Sequence, residues 1–463
     1  MILVDTLPDD VLLAIFDCCV AQREEAWQPL VHVCRRWRSI IFTSPRHLKL
    51  RLVCTKRTPA RDMLDIWPAL PLVIRGYYYS QRGSVDNVIA VLERCDRVCQ
   101  IIVDFVSSSD MEIYLAAMQQ PFPELTHLSL DSFNKPVSVV PDSFLGGSAP
   151  RLRYLNLSGI PIPGIPKLLL SATHLARLSL YDIPHSGYIS PEAMVTALST
   201  MTSLSSFSLG FRSPRSCPDQ ASRRPPPSTR SVLPVLEKFG FTGVTEYLED
   251  LVARIDAPRL GYLKITFFND TIFDTPHFIQ FISRTPASRA PETGRIFLSD
   301  GAAHLSFSSR KSDERGFYVK ILSQGLDWQL SSLEQVCTLC LPPLAMVEDL
   351  YIYEGSEWPP DWKDEIENGQ WLEPLHFLTA VKNLHLSKEM ALRIGPALQE
   401  LADGSTTVLP DLQNIFLEGL ESSGPVQEGI AKFVAVRQVA SRPIAVSGWA
   451  NSDRDKLILM VNF

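Results

Sequence analysis

The stretch "LRYLNLSG" at residues 152–159 decides how this chain folds. Its leucines stand at 152, 155 and 157, and the last two are separated by one residue. Strands send alternate side chains to opposite faces, so Leu155 and Leu157 share a buried face while Tyr154 and Asn156 point the other way. The spacing recurs in "LTHLSL" at 125, "LARLSL" at 175 and "LSSFSL" at 204. Looser copies are "LEKFGF" at 236, "LGYLKI" at 260, "VEDLYI" at 347, "VKNLHL" at 381 and "LQNIFL" at 412. The first six starts lie 27, 23, 29, 32 and 24 residues apart.

Between these strands lie helical patterns. In "SPEAMVTALSTM", Ser190 is placed to cap, Pro191 to open the first turn and Glu192 to face the helix dipole. In "TEYLEDLVARI", Tyr247, Leu248, Leu251 and Ile255 fall on one side. Earlier, "PLVIRG" (71–76) and "VCQIIVDF" read as strands and "SVDNVIAVLERC" as the helix between them. Strand–helix units at this period match the 20–29-residue leucine-rich repeat, whose units stack into a solenoid with a parallel sheet on its concave face. The consensus asparagine or cysteine after the core is largely missing, so the repeats are degenerate. The tail "PVQEGIAKFVAVRQVASRPIAVSGW" reads as a last amphipathic helix and a short strand, a terminal cap.

The first fifty residues follow another pattern. Pro8 suits a helix start, with Asp9 and Asp10 in the first turn and Leu12, Ile15, Phe16 and Cys19 forming one apolar stripe. After the polar "AQREEAWQP", Pro29 opens a second helix in which Leu30, Val33, Cys34, Trp37 and Ile41 keep helical spacing, and Ser44-Pro45 ends the unit. Two roles fit these residues equally: helices that cap the following domain, or half of an interface completed by a partner.

"LPDDVLLAIF" (7–16) followed by "VCRRWR" (33–38) resembles the F-box, with Asp10 where glutamate is usual and a longer loop at 24–28. The arrangement as a whole resembles the F-box proteins with leucine-rich-like arrays of mushroom-forming fungi. The resemblance implies a non-catalytic substrate receptor of a ubiquitin ligase, whose F-box docks a Skp-type adaptor and through it a cullin. It gives the apolar contact with the adaptor to Leu7, Pro8, Leu12, Ile15, Phe16, Leu30, Val33, Cys34 and Trp37, and leaves open which of them face the adaptor and which pack within the F-box. A scaffold that uses the solenoid alone is the alternative.

The expected fold class is therefore α/β: an N-terminal helical F-box, then an irregular leucine-rich-repeat-like β/α solenoid with a parallel sheet. The expected boundaries are 1–47 for the F-box, 48–427 for the solenoid and 428–463 for the cap. The Pro-, Ser- and Arg-rich segment 212–230 reads as a disordered insertion, either a tolerated loop or a docking or phosphorylation segment at Ser213-Pro214. Concave positions expected to meet a protein substrate are Tyr154, Asn156, Arg177, Ser179, Tyr181, Tyr262, Lys264, Tyr351, Tyr353, Asn383 and His385. The Trp-rich loop "EGSEWPPDWKDEIENGQW" (354–371) either binds a partner or packs back on the array.

A chain of 463 residues, 45% apolar and 21% charged, is globular. Its net charge of −7 disfavours general nucleic-acid binding. It has no apolar run long enough for a membrane span, and "MILVDTLPDD" does not read as a secretory signal. Nine cysteines in such a chain are expected to be reduced, in cytoplasm or nucleus. The lone pair Cys337/Cys340 in "VCTLCL" reads as buried thiols, and neither a metal nor another cofactor is expected. No nucleotide-binding, hydrolase or zinc-protease motif is present, so no catalysis is expected.

Overall fold

The computed structural model describes residues 7–22, 25–77, 84–132, 139–140, 142–161, 163, 165–216, 229–268, 275–286, 291–309, 312–323, 325–340, 344, 346–355, 367–403, 408–419 and 425–449. The chain divides into two compact units, Met1–Pro218 and Asp219–Phe463.

The first unit opens with three helices, α1 (Asp9–Gln22), α2 (Trp27–Leu30) and α3 (Arg35–Thr43). Strands and helices then alternate: β1 (Leu52–Cys54), α4 (Ala60–Ile66), β2 (Leu72–Tyr77), α5 (Val85–Leu92), β3 (Val98–Val106), α6 (Ser108–Ala117) and β4 (His127–Ser132). A short 3-10 turn at Phe144–Gly147 replaces the helix before β5 (Tyr154–Ser158). The unit continues with α7 (Ile165–Ser171), β6 (Arg177–Ile183), α8 (Pro191–Leu198) and β7 (Ser206–Phe211). Each strand pairs in parallel with the next in sequence. The α/β class, the parallel sheet and the helical N-terminal region are as the sequence predicts.

The repeat motif works through a corner and a ladder. At the corner, the amide of the first motif leucine donates to an apolar residue's carbonyl three positions earlier: Leu125 to Phe122, Leu152 to Ala149, Leu175 to Ala172 and Leu204 to Met201. The later motif residues stack in register, Leu128–Leu155–Leu178–Phe207 and Leu130–Leu157–Leu180–Leu209, all buried. Burying each such side chain contributes about 1.5–3 kcal/mol, which a lone strand–helix pair cannot collect without a neighbour. Ser84, Ser107 and Ser190 cap α5, α6 and α8 through their hydroxyls. Bulges interrupt the register after Val103 and after Leu180, where Phe105 (φ 55°) and Asp182 (φ 50°) take the left-handed conformation.

The second unit contains β8 (Ser231–Val232), β9 (Lys238–Gly243), α9 (Thr245–Val252), β10 (Ile255–Asp256), β11 (Tyr262–Phe268), α10 (Pro276–Arg284), β12 (Thr293–Ser299), β13 (Ala302–Ser309) and β14 (Ser312–Leu322). It ends with α11 (Leu326–Cys340), β15 (Asp349–Glu354), α12 (Asn368–Leu372), β16 (Asn383–Leu386), α13 (Lys388–Asp403), β17 (Asn414–Glu418), α14 (Pro425–Val439) and β18 (Ala445–Trp449). The short strands β8 and β10 pair with each other. In the main sheet the order is β9, β11, β14, β13, β12, β15, β16, β17, β18. All neighbours are parallel except around β13, which runs antiparallel to both β12 and β14.

A three-strand meander is thus inserted into the repeat array, with its first strand farthest from β11. Gln329 of α11 fastens it, donating from Nε2 to the carbonyls of Ser299 and Ser323, both at 2.9 Å. Buried Glu249 of α9 accepts the first free amides of α10, His277 at 2.9 Å and Phe278 at 2.8 Å.

The second predicted helix is not continuous. Residues 31–34 form a turn, and Cys34 is extended (φ −157°) as the N-cap of α3, its Sγ accepting from the Trp37 amide at 3.5 Å. The predicted terminal helix and strand are α14 and β18. Of the segment 212–230, the ends are held: the Arg212 amide donates to the Ile183 carbonyl, Ser216 is buried and Arg230 bonds the Ala253 carbonyl. Residues 217–228 lie outside the described residues, as do Trp358 and Trp362, whereas Trp371 is buried on α12. No helix among the described residues is long and apolar enough to cross a membrane.

Candidate functional site

The three N-terminal helices form a small core of their own. Leu12, Phe16, Trp27, Val31, Ile40 and Ile41 are buried, and Trp37 packs on Phe16 with ring centroids 4.8 Å apart. Arg36 closes the structure, donating to Asp9 Oδ1 at 2.5 Å and to the Leu7 carbonyl at 2.5 Å. Trp27 joins the helices to the first repeat: its indole N–H donates to the Arg51 carbonyl at 3.0 Å, and its ring lies 5.1 Å from that of Trp67.

This geometry divides the nine residues assigned to adaptor contact. Leu12 and Phe16 are fully buried inside the helical unit and are the ones that pack within it: the stripe that looks uniform in sequence faces inward at these positions. Leu7, Leu30, Cys34 and Trp37 are half-buried, and Cys34 is occupied as a cap. Pro8 is exposed, and Ile15 and Val33 are bare at 43% and 59% exposure. Val11, one turn before Ile15 and not singled out in the sequence, is exposed as well. An i, i+4 apolar pair left in water beside a filled core is the signal that finds this surface.

On the first unit's sheet, the face opposite the leucines carries rows of polar and aromatic side chains. One row is Gln100, His127, Tyr154, Arg177 and Ser206. His127 and Tyr154 stack at 4.0 Å, and the Arg177 guanidinium lies 5.8 Å from the Tyr154 ring centre. Burial pushes the His127 pKa down, with Arg177 and Arg51 adding to the effect. In the next row Asn156 donates to Ser129 at 3.0 Å and Ser129 to Asp104 at 2.9 Å, while Ser179 is buried against its neighbours. Tyr181 stands exposed at the C-terminal end of β6. Asp104 and Asp131 join this face, and burial raises both carboxyls.

The second unit's face follows the same logic. Asn414 donates to Asn383 at 2.8 Å and Asn383 to Asp349 at 2.6 Å, a ladder across three strands. Beside it Tyr351, His385 and Phe416 form a stack, with centroids 4.1 and 4.4 Å apart. Burial lowers the His385 pKa to about 4, opposed by Asp349. Tyr262 packs against Tyr318 at 5.1 Å, and Lys264 lies between strands bearing Gly240 and Tyr318. Tyr353 shares the face of Tyr351, yet it is only 3% exposed, with Phe297 at 5.3 Å. It is therefore corrected from a contact residue to a packed one; strand alternation fixes its face and does not show what covers it.

Cys337 is buried, and the Cys-x-x-Cys pair falls at the C-terminal end of α11. Among the described residues no group of three or more His, Cys, Asp or Glu is placed to hold a metal ion.

The chain matches no protein-family profile and no curated protein. Among solved structures it is similar to a leucine-rich repeat-containing protein, LegL7, from Legionella pneumophila, with 13% identity over 83% of this chain and 97% of that one and a TM-score of 0.28.

Proposed function

We propose that this chain is the substrate-recognition subunit of a Skp–cullin–F-box type ubiquitin ligase, with the N-terminal helices docking the adaptor and the repeat array holding a protein substrate. A β/α repeat array exposes an extended face whose side chains differ from strand to strand, which suits protein–protein interaction. The reading of the helical end rests on one observation. Leu12, Phe16, Ile40 and Ile41 complete a core, and Pro8, Val11, Ile15 and Val33 stay in water. Arg36 supports a common surface by tying the start of α1 to the first turn of α3, which follows Val33.

The helices also cap the array through Trp27, so the two roles suggested by the sequence combine: one side packs on the first repeat and another is left for a partner. The test is purification of the tagged chain from cells with the proteasome inhibited. Recovery of a Skp-type adaptor and a cullin supports the ligase; recovery of other proteins without either supports a scaffold that uses the array alone.

A further inference from the structure

We propose that residues 456–463, "KLILMVNF", dock on the free edge of β18 as one more, antiparallel strand, so that the chain closes its own repeat array. The inference lies within the second unit and does not rest on adaptor docking.

The main sheet stops at β18. The Ala445 amide donates to the Gln413 carbonyl at 2.8 Å, and strand alternation aims the Ser447 amide at β17 as well. The backbone groups of Val446 and Gly448 therefore face the other edge, where no strand pairs among the described residues. The core also runs out here. Leu350, Leu384, Ile415 and Val446 stand in one register row on the inward face. The first three are fully buried, whereas Val446 is 39% exposed, because no following unit covers it. On α14, the last helix, Ala431, Ala435, Val436 and Val439 are exposed too, Val439 at 88%. An edge with open amides and an uncovered apolar row is a template for a further strand.

The chain itself supplies one. Residues 450–463 follow β18 directly and lie outside the described residues. The connection "ANSDRD" (450–455) is rich in turn-forming residues, and six of the eight residues after it are apolar. At period two, Leu457, Leu459, Val461 and Phe463 share one face, and Lys456, Ile458, Met460 and Asn462 the other. The first set matches the inward row that ends at Val446; the second matches the mixed outer face of the sheet. Six connecting residues suit a hairpin, since a parallel return needs a crossover of about a dozen or more. The added strand is therefore antiparallel to β18, as β13 is to its neighbours. A second copy pairing through its own β18 would bring only Val446 and Gly448 to the inward row, whereas this segment brings four apolar side chains.

The experiment is residue-resolved hydrogen exchange on the full chain, with its mass followed by sedimentation at two concentrations. In the unaltered, monomeric chain the Val446 and Gly448 amides should exchange about a hundredfold or more slower than in the unfolded chain. Leu459→Asp puts a charge into the inward row and should speed both amides by about tenfold or more, leaving those of Ala445 and Ser447 slow. Met460→Thr, on the outer face, should change none of them. Should Leu459→Asp release Ala445 and Ser447 as well, the milder Leu459→Ser is read in its place with the same expectation. Free exchange of Val446 and Gly448 in the unaltered chain, or protection that survives both changes at Leu459, would overturn the proposal. So would protection found only in a dimer, which gives the edge to a second copy.

Discussion

The indole N–H of Trp27 donates to the backbone carbonyl of Arg51 at 3.0 Å, linking the helical start of the chain to the first strand of the repeats. Trp27 is fully buried, with Phe42 and Trp67 packed edge-on around it. Trp27→Phe should cost about 1 kcal/mol by removing the bond and leaving the carbonyl unpaired. Trp27→Ala should cost about 3–5 kcal/mol. Hydrogen exchange should quicken in α1 and α3 and stay unchanged in α9.

Tyr351 and Tyr353 are two residues apart on β15 and point the same way, yet only Tyr351 is open to solvent. Tyr353→Ala should destabilise the second unit by about 3 kcal/mol. Tyr351→Ala should cost nearer 1 kcal/mol, the worth of its stack on His385. Urea unfolding of each variant measures the difference.

His385 has a folded pKa of about 4 against roughly 6.5 in an unfolded chain. Between those values the unfolded state takes up a proton and the folded state does not. Stability should therefore fall as pH drops from about 6.5 towards 4. His304, at about 3, extends the loss further into acid. Calorimetry at pH 7 and pH 5 should show a lower unfolding temperature at pH 5, and His385→Phe should shrink the gap.

A Cβ on Gly316 would stand 2.6 Å from the Phe307 carbonyl oxygen, next to the bulge at Ser308/Ser309. Gly316→Ala should force the β13 and β14 backbones apart and cost roughly 1–3 kcal/mol. Exchange of the β14 amides reports the change.

The repeats were legible because their leucines do one job at one spacing. Leu155 and Leu157 are buried and Tyr154 and Asn156 face outward, as period two requires. The corner was missed although it is written in the sequence: an apolar residue precedes each motif leucine by three, as in "FPEL", "APRL" and "LPDL". The meander was missed as well. "IFLSDGAAHLSF" places Asp300-Gly301 between alternating apolar residues, a hairpin signal hidden among the alternating apolar residues of the repeats themselves. In the helical end, the residue types were readable, but which apolar side chains face inward depends on the turn at 31–34, which breaks the helical spacing.

The central claim is that the apolar side chains left outside the N-terminal core bind a Skp-type adaptor. The direct measurement is the affinity of the purified chain for a purified adaptor, with and without the exposed pair changed in Ile15→Asp plus Val33→Asp. Neither residue belongs to the core, so the variant should keep the unfolding temperature of the unaltered protein. Placing two charges in an apolar interface should weaken binding by about a hundredfold or more. Failure of the unaltered chain to bind the adaptor, or equal binding by the folded variant, would contradict the account.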